Sequence, residues 1–149
     1  MKELQDCIQT RRSVRIYREE PVDRALIRKL IWNGCMAPSG SNIQSWQFIV
    51  ADDPELVAEL VRFSPGIGKV PPCIIILCAD RCRALEKGGV MGRDQLSLID
   101  ISMAAENIIL SAVDHGLGTC AVRSFSAMIL QKILKLPEHI MQELLITLG

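Results

Sequence analysis

Between residues 94 and 115 the chain carries apolar side chains nearly all the way round a helical wheel, and this limits the possible folds more than any other feature. A helix without a polar face has to be buried in a large core or in a subunit interface. At 149 residues the chain suffices for one domain with a real core, and is too short for two. A domain of that size can hardly enclose such a helix alone, so the sequence predicts a homodimer. The same stretch is interrupted by Ser97, Asp100, Ser102, Glu106, Asn107 and Ser111, which argues against a membrane span. Aromatic residues make up only 4% of the chain, so the core must come from Ile, Leu, Val, Ala and Met.

The remaining pattern alternates short helices and strands. Leu4, Cys7 and Ile8 stand at helical spacing within residues 2–10. Pro21 and Asp23 open a second helix with Leu26, Ile27, Leu30 and Ile31 on its apolar face and Asp23 as N-cap; Gly34 and the Ala37-Pro38-Ser39-Gly40 turn close it. Residues 46–51 read as a strand, and Asp52-Asp53-Pro54 starts a helix that runs to Arg62. The run 73–79 is continuously apolar between Pro71-Pro72 and Asp80, as in a strand buried on both faces. Residues 81–93, charged and glycine-rich, read as a mobile surface loop. Gly116-Leu117-Gly118 ends the long helix, and a strand (119–122), a helix (126–134) and a last strand (144–148) follow. The expected organisation is one α+β domain over residues 1–149.

Charge narrows the function classes. The net charge is zero, which argues against a dedicated nucleic-acid binder. No charged segment followed by an apolar one opens the chain, so a cytoplasmic location is expected. That setting disfavours disulfides among Cys7, Cys35, Cys73, Cys78, Cys82 and Cys120. Cys78 and Cys82 have no second pair to complete a zinc site, so buried free thiols are expected and no metal. His115 and His139 read as structural or surface residues.

Against this neutral background, Arg11, Arg12, Arg15 and Arg18 crowd into eight residues, with Ser13 among them. Guanidinium forks beside a hydroxyl suit a phosphate, because they offer charge-assisted and often bidentate hydrogen bonds. Downstream, the small polar turn from Pro38 through Ser39, Gly40, Ser41 and Asn42 lets a backbone come close to a flat ligand. Together the two runs suit a phosphorylated, planar cofactor.

Their order and spacing resemble the opening of the nitroreductase family of FMN enzymes. Asp100 followed by Ala105-Glu106-Asn107-Ile108-Ile109-Leu110, then His115-Gly116-Leu117-Gly118-Thr119-Cys120, is similar to the family's central helix and next strand. Leu136-Pro137-Glu138 and Leu145-Ile146-Thr147-Leu148-Gly149 resemble its closing segments. The resemblance implies a mostly antiparallel central sheet flanked by helices, with a long buried central helix, in a homodimer with FMN at the interface. It implies Arg11, Arg12 and Ser13 at the FMN phosphate and ribityl chain, and Arg15 at the pyrimidine edge of the ring. Pro38, Ser39, Ser41 and Asn42 would come from the other subunit, Lys69 would approach the ring, and the segment containing Arg123 and Ser124 would face flavin N5. Gln44 and Trp46 would be structural, Gln44 satisfying backbone groups and Trp46 in the core.

The implied activity is ping-pong hydride transfer from NAD(P)H to a nitroaromatic, quinone or similar small electrophile. No protein nucleophile or acid–base pair is required, since the cofactor carries such chemistry. The alternative is an FMN-binding protein of the same fold without reductase activity. Three positions depart from the family pattern. Ser45 stands where a proline is usual and Glu106 where glutamine is common, and the family chain continues past the position of Gly149 into a tail that brings basic residues to the phosphate.

Overall fold

The strand with no polar face sits at the centre. A computed structural model describes residues 3–149. In it, residues Cys73–Asp80 form β2, flanked by β1 (Trp46–Ala51) and β4 (Ile140–Leu148). Strand β3 (Thr119–Val122) pairs with the far side of β4, giving the antiparallel order β1-β2-β4-β3. Alternation on β2 splits its apolar side chains between two cores. Cys73, Ile75, Leu77 and Ala79 point to one side, and Ile74, Ile76 and Cys78 to the other. Burial raises the pKa of Cys73 and of Cys78 to about 12, so both thiols behave as small hydrophobes.

Helices cover both faces, which explains why β2 can be apolar throughout. On the first face lie α2 (Arg24–Cys35), through Ile27 and Leu30, and α5 (Ser97–Asp114), through Ile101, Ala105, Ile108, Ile109 and Ala112. The second face holds α3 (Pro54–Arg62), with Val57 and Leu60, and α6 (Ala127–Ile133), with Leu130. Local signals start α2 and α3 where the sequence places them. Asp23 accepts a hydrogen bond from the Ala25 N–H and Asp53 one from the Leu56 N–H, each satisfying an orphan donor. Helix α1 covers Leu4–Thr10; the expected start at Lys2 lies outside the described residues.

Residues 81–93 are not a loop. They form α4 (Arg81–Met91), capped by the Asp80 carboxylate on the Arg83 N–H, and a π-turn (Gly92–Leu96) leads from it into α5. The glycines that suggested a loop have two other uses. Gly89 takes a left-handed φ of 61° that breaks the helix, and Gly88 leaves room for Ile43, whose Cδ1 would lie 2.4 Å from a Cβ there. The last strand also begins earlier than its apolar end, at Ile140. By length and composition the helical stretch 81–114 could cross a bilayer, but in this fold α5 packs on the sheet. Nor is α5 buried all round: Leu98 and Ile99 are exposed, as are Ser102 and Glu106.

Candidate functional site

The arginine run follows α1 as extended chain. Arg12 donates two hydrogen bonds from Nη1, to the carbonyls of Gln9 (2.8 Å) and Arg11 (2.7 Å), so part of its guanidinium closes the helix end. Ser13 makes a parallel bridge to Thr119, and the Val14 N–H donates to the Thr119 carbonyl at 2.9 Å, laying the segment along β3. The neighbouring glycine permits this approach: a Cβ on Gly118 would sit 2.9 Å from the Val14 side chain. Tyr17 anchors the other end. Its buried hydroxyl meets the Val14 carbonyl and lies 2.5 Å from Thr147 Oγ1, and burial raises its pKa.

Two further segments meet this one. The Lys69 N–H donates to the Arg15 carbonyl at 3.4 Å, and the Gly66 N–H donates to the Ser124 carbonyl at the same distance. Glycine suits that closeness, since a Cβ at position 66 would fall 2.1 Å from Ser124 Oγ and 2.7 Å from Val122 Cγ1 and would push both side chains aside. Residues 11–15, 66–69 and 122–124 thus share one edge of the molecule beside β3. Among the described residues, the Arg11 and Arg15 guanidinium groups and the Ser13 and Ser124 hydroxyls have no hydrogen-bond or ion-pair partner. Lys69 does have one, an exposed contact of 3.5 Å with Glu19.

Arg123 lies over the Phe125 ring at 5.1 Å and reaches Glu143 at 3.7 Å. Glu143 was invisible as a site residue in the sequence. It is the extra residue of a β-bulge, where Leu77 pairs with Leu144 but Cys78 with Gln142. Partial burial raises its carboxyl pKa, opposed by Arg123 and Arg81.

The second polar run lies elsewhere on the chain. Ser39 Oγ donates to Asp100 Oδ2 at 2.6 Å and accepts from the Gln44 N–H at 2.8 Å, while the Gly40 N–H donates to Asp100 Oδ1 at 2.9 Å. Arg83 Nε holds the Ile43 carbonyl at 2.9 Å, and the fully buried Ile43 side chain plugs the turn into α4. Between these anchors Ser41, Asn42 and Gln44 take φ values of 50°, 51° and 51°. Left-handed backbone is unfavourable for residues bearing a Cβ and persists only where surroundings impose it. The side chains of Pro38, Ser41, Asn42 and Gln44 face solvent.

The Ser39 hydroxyl is committed to Asp100 on α5 and to the Gln44 N–H. Two expectations change here. Gln44 serves through its main-chain N–H while its side chain stays exposed and unbonded. Trp46 is only half-buried, packed against the first core. Sequence reasoning missed Asp100 and Arg83 as supports of this loop, because nothing local links them to it, and Ile43 because its burial is set by α4. Among the described residues, no hydrogen bond joins the 38–44 loop to the arginine edge.

An antiparallel sheet between two helical layers, with a cationic edge beside β3 and a separate constrained polar loop, defines the α+β class of this chain. The chain belongs to the nitroreductase family, whose model matches residues 8–65 and 63–149. A protein of Archaeoglobus fulgidus provisionally named NADH dehydrogenase/NAD(P)H nitroreductase is 31% identical over the whole of this chain and 86% of its own length. The crystal structure of a nitroreductase family protein from Clostridium novyi NT superposes with a TM-score of 0.88 at 26% identity, covering 99% of this chain and 84% of that one. An FMN-dependent nitroreductase from Clostridium difficile gives 0.81 at 27% identity, over 97% of this chain and 86% of the other.

Proposed function

We propose that the protein is an FMN-dependent NAD(P)H oxidoreductase that reduces a nitroaromatic, quinone or similar small electrophile, with residues 1–149 as one catalytic domain. The observation that carries this reading is the edge beside β3, where residues 11–15, tied through their main chain to Thr119 and Lys69, carry the unpaired guanidinium groups of Arg11 and Arg15 and the free Ser13 hydroxyl, with no carboxylate among the described residues to neutralise either arginine. Such a donor set fits a phosphate and an electron-rich ring edge. Membership in a family with FMN-dependent and NAD(P)H-linked relatives supports the same assignment.

In this reading Arg11, Ser13 and the uncommitted nitrogens of Arg12 hold the phosphate and ribityl chain. Arg15 places a cation at the pyrimidine edge, where it favours the negatively charged reduced ring and so raises its potential. Lys69 and the Arg123–Ser124 segment border the ring from the neighbouring loops. Bound FMN supplies the hydride-accepting and hydride-donating centre at N5. The protein contributes binding, orientation and charge, and the nicotinamide and the acceptor use the same open face in turn.

We further propose a homodimer in which the loop with Pro38, Ser39, Ser41 and Asn42 completes the partner's site. Two features support it: the separation of that loop from the arginine edge within one chain, and apolar side chains left exposed on α1 (Leu4, Ile8), on α2 and its C-cap (Trp32, Met36) and on α5 (Leu98, Ile99). Gel filtration after FMN addition tests both proposals. A dimer-sized yellow species that oxidises NAD(P)H with a quinone or nitro acceptor is expected. FMN that dithionite reduces but NAD(P)H does not would instead establish a flavin-binding protein without reductase activity, and a colourless monomer would refute the site.

A further inference from the structure

We infer that Asp100 is the positioning residue of the 38–44 loop, a buried carboxylate that fixes how Ser41, Asn42 and Gln44 are presented to a ligand. For the identity of that ligand the inference rests on the flavin reading above; for the loop geometry it does not.

Asp100 is 1% exposed, and no cation pairs with it among the described residues. Burying a carboxylate away from water is costly unless its oxygens are hydrogen-bonded. Both are used on one short segment, Oδ2 by the Ser39 hydroxyl and Oδ1 by the Gly40 N–H. Direction matters as much as contact. The Ser39 hydroxyl donates to Asp100, so its proton points toward the carboxyl group and a lone pair of Ser39 Oγ faces the Gln44 N–H. The relay spans the stretch in which Ser41, Asn42 and Gln44 are left-handed. A buried acceptor on the rigid helix α5 thereby holds a backbone shape that the loop residues themselves disfavour. Asparagine at position 100 keeps the size; with its oxygen on the Gly40 N–H, its N–H₂ would donate to Ser39 Oγ, reversing that hydrogen bond and freeing the Ser39 proton, whereas the opposite orientation sets N–H₂ against the Gly40 N–H.

The test measures amide hydrogen exchange by NMR together with FMN affinity, in wild type, Asp100→Ala, Asp100→Asn and Ser39→Ala. Exchange at Gly40 and Gln44 should accelerate roughly tenfold or more in Asp100→Ala, the scale of one or two lost hydrogen bonds. In Ser39→Ala only Gln44 should respond, and the Ile75 and Ile76 amides of β2 should stay at wild-type protection in every variant. FMN dissociation constants should rise about tenfold in Asp100→Ala and by less in Asp100→Asn, and the visible circular dichroism of saturating FMN should change in Asp100→Ala. Unchanged Gln44 exchange in Asp100→Ala would overturn the inference. So would exchange rising equally in β2, or a mobilised loop with unaltered FMN affinity and dichroism. Wild-type protein that binds no FMN would refute the flavin reading, while the exchange pattern would still decide the role of Asp100.

Discussion

Residues 11–15 are fixed through their main chain, by the bridge to Thr119 and the Lys69 N–H, and their charged side chains are left largely unengaged. Residues 38–44 are fixed the opposite way, through the side chains of Ser39, Asp100, Arg83 and Ile43, and what remains exposed is a strained backbone with short polar groups. The contrast follows from what each must offer. Guanidinium groups bind a phosphate only if no internal carboxylate has claimed them, so the segment that carries them is held by other atoms. A loop that approaches a planar ligand needs shape more than charge, and that shape is imposed by Asp100 of α5 and Arg83 of α4 together with the loop's own Ser39 and Ile43.

The largest expected effect acts on the sheet beneath both regions and should abolish them together. The folded state keeps the Cys73 and Cys78 thiols protonated, with pKa values pushed up to about 12 against an ordinary value of 9.0. Their contribution is therefore complete below pH 9 and is lost as pH rises through about 12. Urea midpoints should fall steadily across that window, and Cys78→Ala should flatten part of the slope; a flat profile would mean that the thiols are not buried.

Arg11→Ala separates the two regions. It should weaken FMN binding by about 1.5–3 kcal/mol, the scale of a charged hydrogen bond, and leave thermal stability unchanged because no side chain among the described residues pairs with its guanidinium. Titration calorimetry beside a melting curve checks both halves, and unaltered affinity would place the phosphate elsewhere. Tyr17→Phe should act on the arginine segment alone. Removing the hydroxyl shared with Val14 and Thr147 should lower stability by about 0.5–1.5 kcal/mol and weaken FMN binding, with Gln44 exchange unaffected. Gln44→Gly is the smallest and opposite in sign. Relief of its left-handed backbone, partly offset by the greater freedom of glycine when unfolded, should stabilise the protein by up to about 1 kcal/mol in urea titration. A loss of stability there would mean that the loop is not strained.

Much of the scaffold was legible because its signals are local. Asp23 and Asp53 cap their helices within three residues, and the unbroken apolarity of residues 73–79 requires cover on both faces. The 81–93 segment was misread because glycines serve tertiary needs there: Gly88 accommodates an Ile43 side chain 45 positions earlier in the chain. The dimer argument from α5 survives only in altered form, since the helix has a partly exposed side whose apolar residues now carry the proposal.

By itself, the sequence determined the family, the alternation of elements and the supply of arginines and hydroxyls, since these depend on composition and near-neighbour pattern. Only the tertiary structure decided which of them remain unpaired, brought Lys69 to the arginine segment and Gly66 to Ser124, and joined Ser39 to an aspartate 61 residues away. The reason is physical: a hydrogen bond between distant residues, and a left-handed φ at serine, asparagine or glutamine, are imposed by packing around the segment and leave no periodic mark within it.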